Sequence, residues 1–144
     1  MGSGPSCALA VEYPSVSALV LLSPYTSLKQ AVKTLLGTLA SLIVRERFEN
    51  HRLITRVRCP TLIIHGQADS IIPESHAIEL HQNCGGPSKL IMPAGMTHND
   101  CDMLKDLIKP IEQFFLESNV VPTVTESTAI RKFKRSLHIP SAEI

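Results

Sequence analysis

The sequence predicts an α/β fold built on a small parallel sheet, and three observations support this prediction. Short runs of mostly apolar residues, at 16–23, 61–65 and 89–92, have the length of buried strands. The first two runs are nearly continuous rather than alternating, as in strands covered on both faces. Segments with helical character lie before, between and after the runs, and such alternation forms parallel strands joined by right-handed crossovers.

The elements before the second strand follow from local signals. Residues 4–12 are compatible with a helix, because Pro5 suits a first helical turn, and the residue before Pro14 is pushed out of helical geometry. Ser27 is the predicted N-cap of a long amphipathic helix that continues to Ile43. Its apolar positions recur with helical spacing at Val32, Leu35, Leu36, Leu39, Leu42 and Ile43.

The second half repeats the pattern. The strand at 61–65 is followed by a turn, Gly66 to Asp69, and by a predicted helix at 74–83 that ends at a glycine pair. The strand at 89–92 leads into a loop, and Asn99 and Asp100 are the predicted caps of the last helix. We expect Pro110 to kink or split that helix.

Composition excludes several classes of protein. The chain has 144 residues, enough for one domain, and 44% of them are hydrophobic, so a packed core is expected. The net charge of +1 supplies no field that would recruit nucleic acid or an anionic membrane, and only a local charged patch is left open. No apolar run is long enough to span a membrane. Four cysteines without a C-x-x-C pair predict reduced thiols and a cytoplasmic protein.

Two residues are expected to meet at the carboxyl edge of the sheet, where ligands of open α/β sheets bind. Asp69 lies four residues after His65, at the end of the second strand, and His98 lies in the loop after the third. A carboxylate that accepts the Nδ1–H of an imidazole fixes its tautomer for acyl transfer. An acid before a base in chain order is the order found in α/β-hydrolases.

The other candidate residues have simpler interpretations. His65 is predicted to pack at the strand end, and His76 and His81 are five residues apart, which does not suit metal ligation from one helix face. Cys84 and Cys101 are expected to be ordinary thiols. The sequence therefore predicts neither a metal nor a cofactor.

Several short motifs lie at the ends of the predicted strands and at the start of the chain. They are Gly2-Ser3-Gly4-Pro5, Ser23-Pro24, Cys59-Pro60, His65-Gly66 with Asp69, and Gly95 with His98-Asn99-Asp100. In these motifs the sequence resembles the acyl-protein-thioesterase-like α/β-hydrolases, particularly the α/β-hydrolase domain-containing protein 17 family. The resemblance covers residues 1–118. It implies that residues 1–118 are the C-terminal part of an α/β-hydrolase domain without its N-terminal strands, and that Asp69 and His98 belong to a Ser-Asp-His triad.

The resemblance also implies where the remaining catalytic groups stand. The nucleophilic serine would immediately precede Met1, whose backbone N–H would form part of the oxyanion hole. Ser3 and Ser6 are interpreted as ordinary serines at the start of a helix rather than as substitutes. The expected activity is hydrolysis of esters or thioesters, like that of protein depalmitoylases, without a cofactor.

The expected partners follow from that activity. They are an acylated protein or a small ester, with no nucleic acid. The expected location is the cytoplasm, with attachment of the intact protein to the periphery of a membrane as the alternative. The first strand would form an unpaired edge through which chains could self-associate. Residues 119–144 are expected to form a poorly structured tail. Its basic cluster at 131–135 is interpreted as a solvated run of charges, with contact to anionic lipid as the alternative. A non-catalytic hydrolase-like fragment or interaction module remains the alternative function.

Overall fold

The fold is a three-stranded parallel sheet with helices on both faces, as the sequence predicts. A computed structural model describes residues 2–43, 45–46 and 48–120. The strands are β1 (Leu19–Leu22), β2 (Thr61–Ile64) and β3 (Ser88–Ile91), in the spatial order β1-β2-β3. Leu19 pairs with Thr61, and Thr61 pairs with Ser88, so the three strands end at one common edge.

Within the described residues, six α-helices connect and cover the strands. In chain order they are α1 (Ser3–Glu12), α2 (Leu28–Leu36), α3 (Thr38–Ile43), α4 (Asn50–Leu53), α5 (Ser75–Gln82) and α6 (Lys109–Glu117). A 3₁₀ turn, Ile54–Arg56, follows α4, and a π-helical turn, Met103–Ile108, leads into α6. Among the described residues, no helix has both the length and the apolar character needed to cross a membrane.

The central strand β2 separates two apolar layers. Ile63 packs in one layer with residues of α1, β1 and α5, including Cys7, Leu21 and Leu80. Leu62 and Ile64 pack in the other layer with Phe114 of α6. Every residue of β2 is buried, which explains why its sequence is nearly continuously apolar rather than alternating.

The predicted helix from Ser27 to Ile43 is wrong as a single element. Ser27 caps it as expected, because its side-chain oxygen accepts a hydrogen bond from the Gln30 N–H at 3.1 Å. Gly37 then adopts a φ of +86°, a backbone conformation that ends α2 and starts the separate helix α3. The apolar stripe is also not a core face, because most of its second half is exposed.

The start of the last helical segment also differs from the prediction. Its cap is Asp102, whose Oδ1 accepts hydrogen bonds from the N–H groups of Leu104 and Lys105, rather than Asn99 or Asp100. Asp100 instead closes a turn with Thr97, whose hydroxyl accepts from the Asp100 N–H at 3.0 Å. The expected interruption at Pro110 is confirmed, since the π-helical turn changes to α-helix immediately before it.

Strand β1 lies at the edge of the sheet and pairs with β2 alone among the described residues. Leu19 and Leu21 are buried, whereas Leu22 is half exposed. Self-association through this edge stays a prediction. The predicted tail reaches from residue 119 to 144, and of it only Asn119 and Val120 lie within the described residues.

Candidate active site

Asp69 and His98 meet at the carboxyl edge of the sheet. His98 Nδ1 lies 2.8 Å from Asp69 Oδ2, within hydrogen-bond distance. The other carboxylate oxygen, Oδ1, accepts hydrogen bonds from the backbone N–H groups of Ile71 at 2.9 Å and Ile72 at 2.8 Å. The Asp69 side chain is fully buried. The hydrogen bonds from Ile71, Ile72 and His98 hold it in one orientation. The contact expected from the order of the two residues is therefore present.

The environment of Asp69 keeps its carboxyl group ionised. Burial raises its pKa, but the hydrogen bonds from Ile72, His98 and Ile71 together lower it below the usual value of 3.8. An ionised carboxylate can only accept hydrogen bonds, so the proton between the two side chains resides on His98 Nδ1. The second ring nitrogen, Nε2, is then free of a proton in the neutral imidazole and can act as a base.

The loop that carries His98 is held against the end of β2. The Gln67 N–H donates to the Pro93 carbonyl, and the Ala68 N–H donates to the Met96 carbonyl, both at 3.1 Å. Gly66 makes this approach possible, because a Cβ on it would lie 2.0 Å from the Met96 carbonyl oxygen. The glycine after the strand thus fixes the distance between the Asp69 turn and the His98 loop.

His98 borders a largely apolar cleft of about 260 Å³. The side chain of His98 is about one third exposed, at 32%, so it is accessible from this cleft. Four parts of the fold form the walls: the start of α1 (Gly2, Ser3), the end of β1 (Leu22, Ser23), helix α2 (Ala31, Val32) and the turn after Asp69 (Ile71, Ile72). The imidazole of His98, the start of α1 and an apolar wall therefore line the same cleft.

The serines near the start of α1 have other partners than His98. Ser3 Oγ accepts a hydrogen bond from Asn50 Nδ2 at 3.2 Å, and Ser6 Oγ donates to the Gly2 carbonyl at 2.9 Å. In the part of the chain that the structure describes, no serine hydroxyl is hydrogen-bonded to His98. The predicted oxyanion residue, Met1, lies outside the described residues.

Ser23 is a feature of the cleft to which the sequence analysis assigned no role in the site. It follows β1 directly and has a φ of +42°, which is uncommon for a residue with a side chain. Its hydroxyl is buried and has no hydrogen-bond partner within the described residues. Strained residues with unsatisfied polar groups concentrate at functional sites. The only signal in the sequence was the Ser-Pro pair at the end of an apolar strand.

Two other histidines, His65 and His76, have structural contacts. His65 is buried, as expected at a strand end, and its Nε2 lies 2.8 Å from the Ile72 carbonyl oxygen. Nδ1 of His76 lies 2.7 Å from the Thr26 hydroxyl, and burial lowers the pKa of this imidazole. Across the described ranges, no three His, Cys, Asp or Glu side chains are grouped so that they could hold a metal ion.

Comparison with curated proteins finds similarity over most of the chain. The chain is 31% identical over 114 residues to alpha/beta hydrolase domain-containing protein 17B of Homo sapiens. This match covers 79% of the chain and 38% of that protein. The Xenopus laevis protein of the same name is 30% identical over 120 residues, covering 83% of this chain and 40% of that protein. The chain thus spans about two fifths of the length of these relatives. No protein-family model matches it.

Solved structures show the same fold. Est1E from Butyrivibrio proteoclasticus superposes with a TM-score of 0.65 at 20% identity, covering 83% of this chain and 58% of that one. The esterase domain of a Rhodothermus marinus protein superposes with a TM-score of 0.61 at 20% identity, covering 82% of this chain and 56% of that one. The three strands and their helices therefore have the arrangement found in part of these larger esterase domains.

Proposed function

This chain is related to the α/β-hydrolases, and on that premise we propose that Asp69 and His98 are the acid and the base of a serine hydrolase active site. The observation that carries the proposal is the 2.8 Å contact between His98 Nδ1 and an Asp69 carboxylate fixed by two backbone N–H groups. The pair leaves Nε2 available as a base beside an apolar cleft.

The proposed reaction is acyl transfer through a serine. Nε2 of His98 removes the proton of the serine hydroxyl as its oxygen attacks the carbonyl carbon of the substrate, and the Asp69 carboxylate stabilises the resulting imidazolium. His98 then donates that proton to the departing alcohol or thiol. Water, activated by His98 in the same way, releases the carboxylic acid and restores the serine.

We place the nucleophilic serine immediately before Met1 in the complete gene product, by which we mean the translation product of the whole reading frame. Two observations support this position. Gly2 and Ser3 lie at the start of α1 and line the cleft together with His98, so we expect a serine two positions before Gly2 to come close to the imidazole. The Gly-Ser-Gly-Pro sequence after that point resembles the segment that follows the nucleophile in the related family.

The apolar wall of the cleft supports an acyl ester or thioester as the substrate class. Ala31 and Val32 of α2 and Ile71 after Asp69 present only aliphatic groups to the space beside His98. Such a surface suits the hydrocarbon part of an acyl group, while the imidazole serves the carbonyl end. The finer proposal is an acylated protein, as for the depalmitoylases that the sequence resembles.

A second candidate function is a non-catalytic binding module. It is favoured for the 144-residue chain taken alone by the bonding of its serines, because Ser3 and Ser6 are engaged with Asn50 and with the Gly2 carbonyl. The two candidates differ in the activity of the complete gene product. A binding module retains the cleft but does not hydrolyse what occupies it.

The proposal predicts hydrolysis of acyl esters by the complete gene product, with octanoyl esters preferred to acetyl esters. Leu35 of α2 lines the cleft, so Leu35→Ser is expected to lower kcat/KM for octanoyl esters about tenfold, because an apolar contact is lost. Acetyl esters should be unaffected.

Leu9→Ser is the matched control, since Leu9 is an exposed leucine on α1. Steady-state kinetics with p-nitrophenyl esters measures each effect. Failure of the complete gene product to hydrolyse any ester would favour the binding module.

A further inference from the structure

The hairpin formed by α2 and α3 carries an exposed apolar surface that the proposed catalysis does not use. The surface consists of Leu36, Leu39, Leu42 and Ile43, and we call it the hairpin surface. Their exposed fractions are 73%, 82%, 67% and 88%. Single exposed leucines are ordinary, but four large aliphatic side chains within eight residues are not, and such patches mark interaction sites.

Helix α3 is attached to the fold mainly through α2. No other described helix or strand makes comparable contact with it. Ala31 on α2 is buried, whereas every described residue of α3 except Ser41 is exposed. The large apolar side chains of α3 are therefore accessible to a partner surface.

Along the chain, the residues of the hairpin carry charge of one sign only. No Asp or Glu occurs from Tyr13 to Arg45, and the charged residues of this span are Lys29, Lys33 and Arg45, all exposed. The next carboxylate, Glu46, accepts hydrogen bonds from the backbone N–H groups at the start of α2, Leu28 at 3.1 Å and Lys29 at 3.3 Å. The hairpin surface is thus bordered by cations and complements an anionic surface.

We propose that the hairpin surface docks onto a lipid bilayer that contains anionic headgroups. Helices that lie in the membrane interface combine aliphatic residues, which enter the acyl boundary, with Lys and Arg, which meet the headgroups. This composition differs from that of a protein interface, in which lysine is depleted. The charged residues among 28–45 are two lysines and one arginine.

Docking in this way would bring the cleft to the membrane. Helix α2 forms a wall of the cleft through Ala31 and Val32 and joins the hairpin surface at Leu36. The proposal itself does not depend on the hydrolase chemistry, because it concerns binding alone. Vesicle binding can therefore fail while catalysis is present, and the reverse.

The test is flotation of the 144-residue chain with vesicles of phosphatidylcholine and phosphatidylserine, and with vesicles of phosphatidylcholine alone. We expect binding to the mixed vesicles. The double variant Leu39→Ser, Leu42→Ser should lower the partition coefficient about tenfold or more, because two side chains lose apolar burial. Lys29→Gln and Lys33→Gln should each lower it about fivefold, because each removes one charge near the headgroups.

The control is the double variant Leu9→Ser, Leu116→Ser, which removes two exposed leucines on α1 and α6. It should bind the mixed vesicles as the unchanged chain does. Absence of binding by the unchanged chain, or equal loss in both double variants, would overturn the proposal. So would unaltered vesicle binding by Leu39→Ser, Leu42→Ser together with a change from dimer to monomer in sedimentation, which would assign the surface to a second copy.

Discussion

Replacing Asp69 by asparagine is expected to lower kcat of the complete gene product about ten-thousandfold. The substituted amide can donate to His98 Nδ1, which favours the tautomer whose proton is on Nε2, the atom that must accept the serine proton. The amide also carries no charge to stabilise the imidazolium. KM should change little, because Asp69 is buried behind the imidazole and does not line the cleft.

Steady-state hydrolysis of an acyl ester measures the loss. Asp100→Asn is the matched control, since Asp100 lies two residues from His98, is exposed and is bonded to Thr97 rather than to the imidazole. We expect the control to retain the activity of the unchanged protein. An Asp69→Asn variant with near-normal kcat would show that the contact between Asp69 and His98 is structural.

Replacing Gly66 by alanine is expected to destabilise the fold by about 3 kcal/mol and to separate the two site residues. The added Cβ would lie 2.0 Å from the Met96 carbonyl oxygen and 2.6 Å from the Met96 carbonyl carbon, so the backbone of the His98 loop must move. The movement should also break the hydrogen bond from the Ala68 N–H to the Met96 carbonyl. The Gly66→Ala substitution is therefore expected to change both the stability of the fold and the distance between Asp69 and His98.

Urea unfolding of the 144-residue chain measures the stability change. Gly95→Ala is the control in the His98 loop, which Gly66 contacts, because nothing lies within 4 Å of a Cβ on Gly95. We expect the control to stay within about 0.5 kcal/mol of the unchanged chain. Equal stability of the two variants would show that the loop accommodates a side chain at residue 66 and is not fixed by the glycine.

The sequence was informative where one physical requirement dominates. The run at 61–65 could be assigned to a buried strand because burial on both faces leaves little room for polar residues. Asp69 and His98 could be paired because the ends of parallel strands share one edge, which brings residues 29 positions apart into contact. Both inferences depend on topology rather than on local detail.

The sequence was uninformative where competing local structures fit the same residues. An apolar stripe from Val32 to Ile43 predicts a buried helix face, but the stripe cannot say whether a partner covers it, and Gly37 permits a break that the pattern does not require. Asp100 and Asp102 are equally good caps by residue type. The choice of Asp102 depends on where the helical turn begins in three dimensions.

Labelling the complete gene product with a fluorophosphonate, followed by peptide mapping, tests whether Asp69 and His98 activate a serine. The reagent modifies a serine only when a base activates its hydroxyl. We expect one labelled serine, immediately before Met1, and loss of that label in a His98→Ala variant, while Ser3 and Ser6 stay unmodified. Absence of labelling, a label on Ser3 or Ser6, or a label that persists in His98→Ala would contradict the assignment of Asp69 and His98 as a catalytic pair.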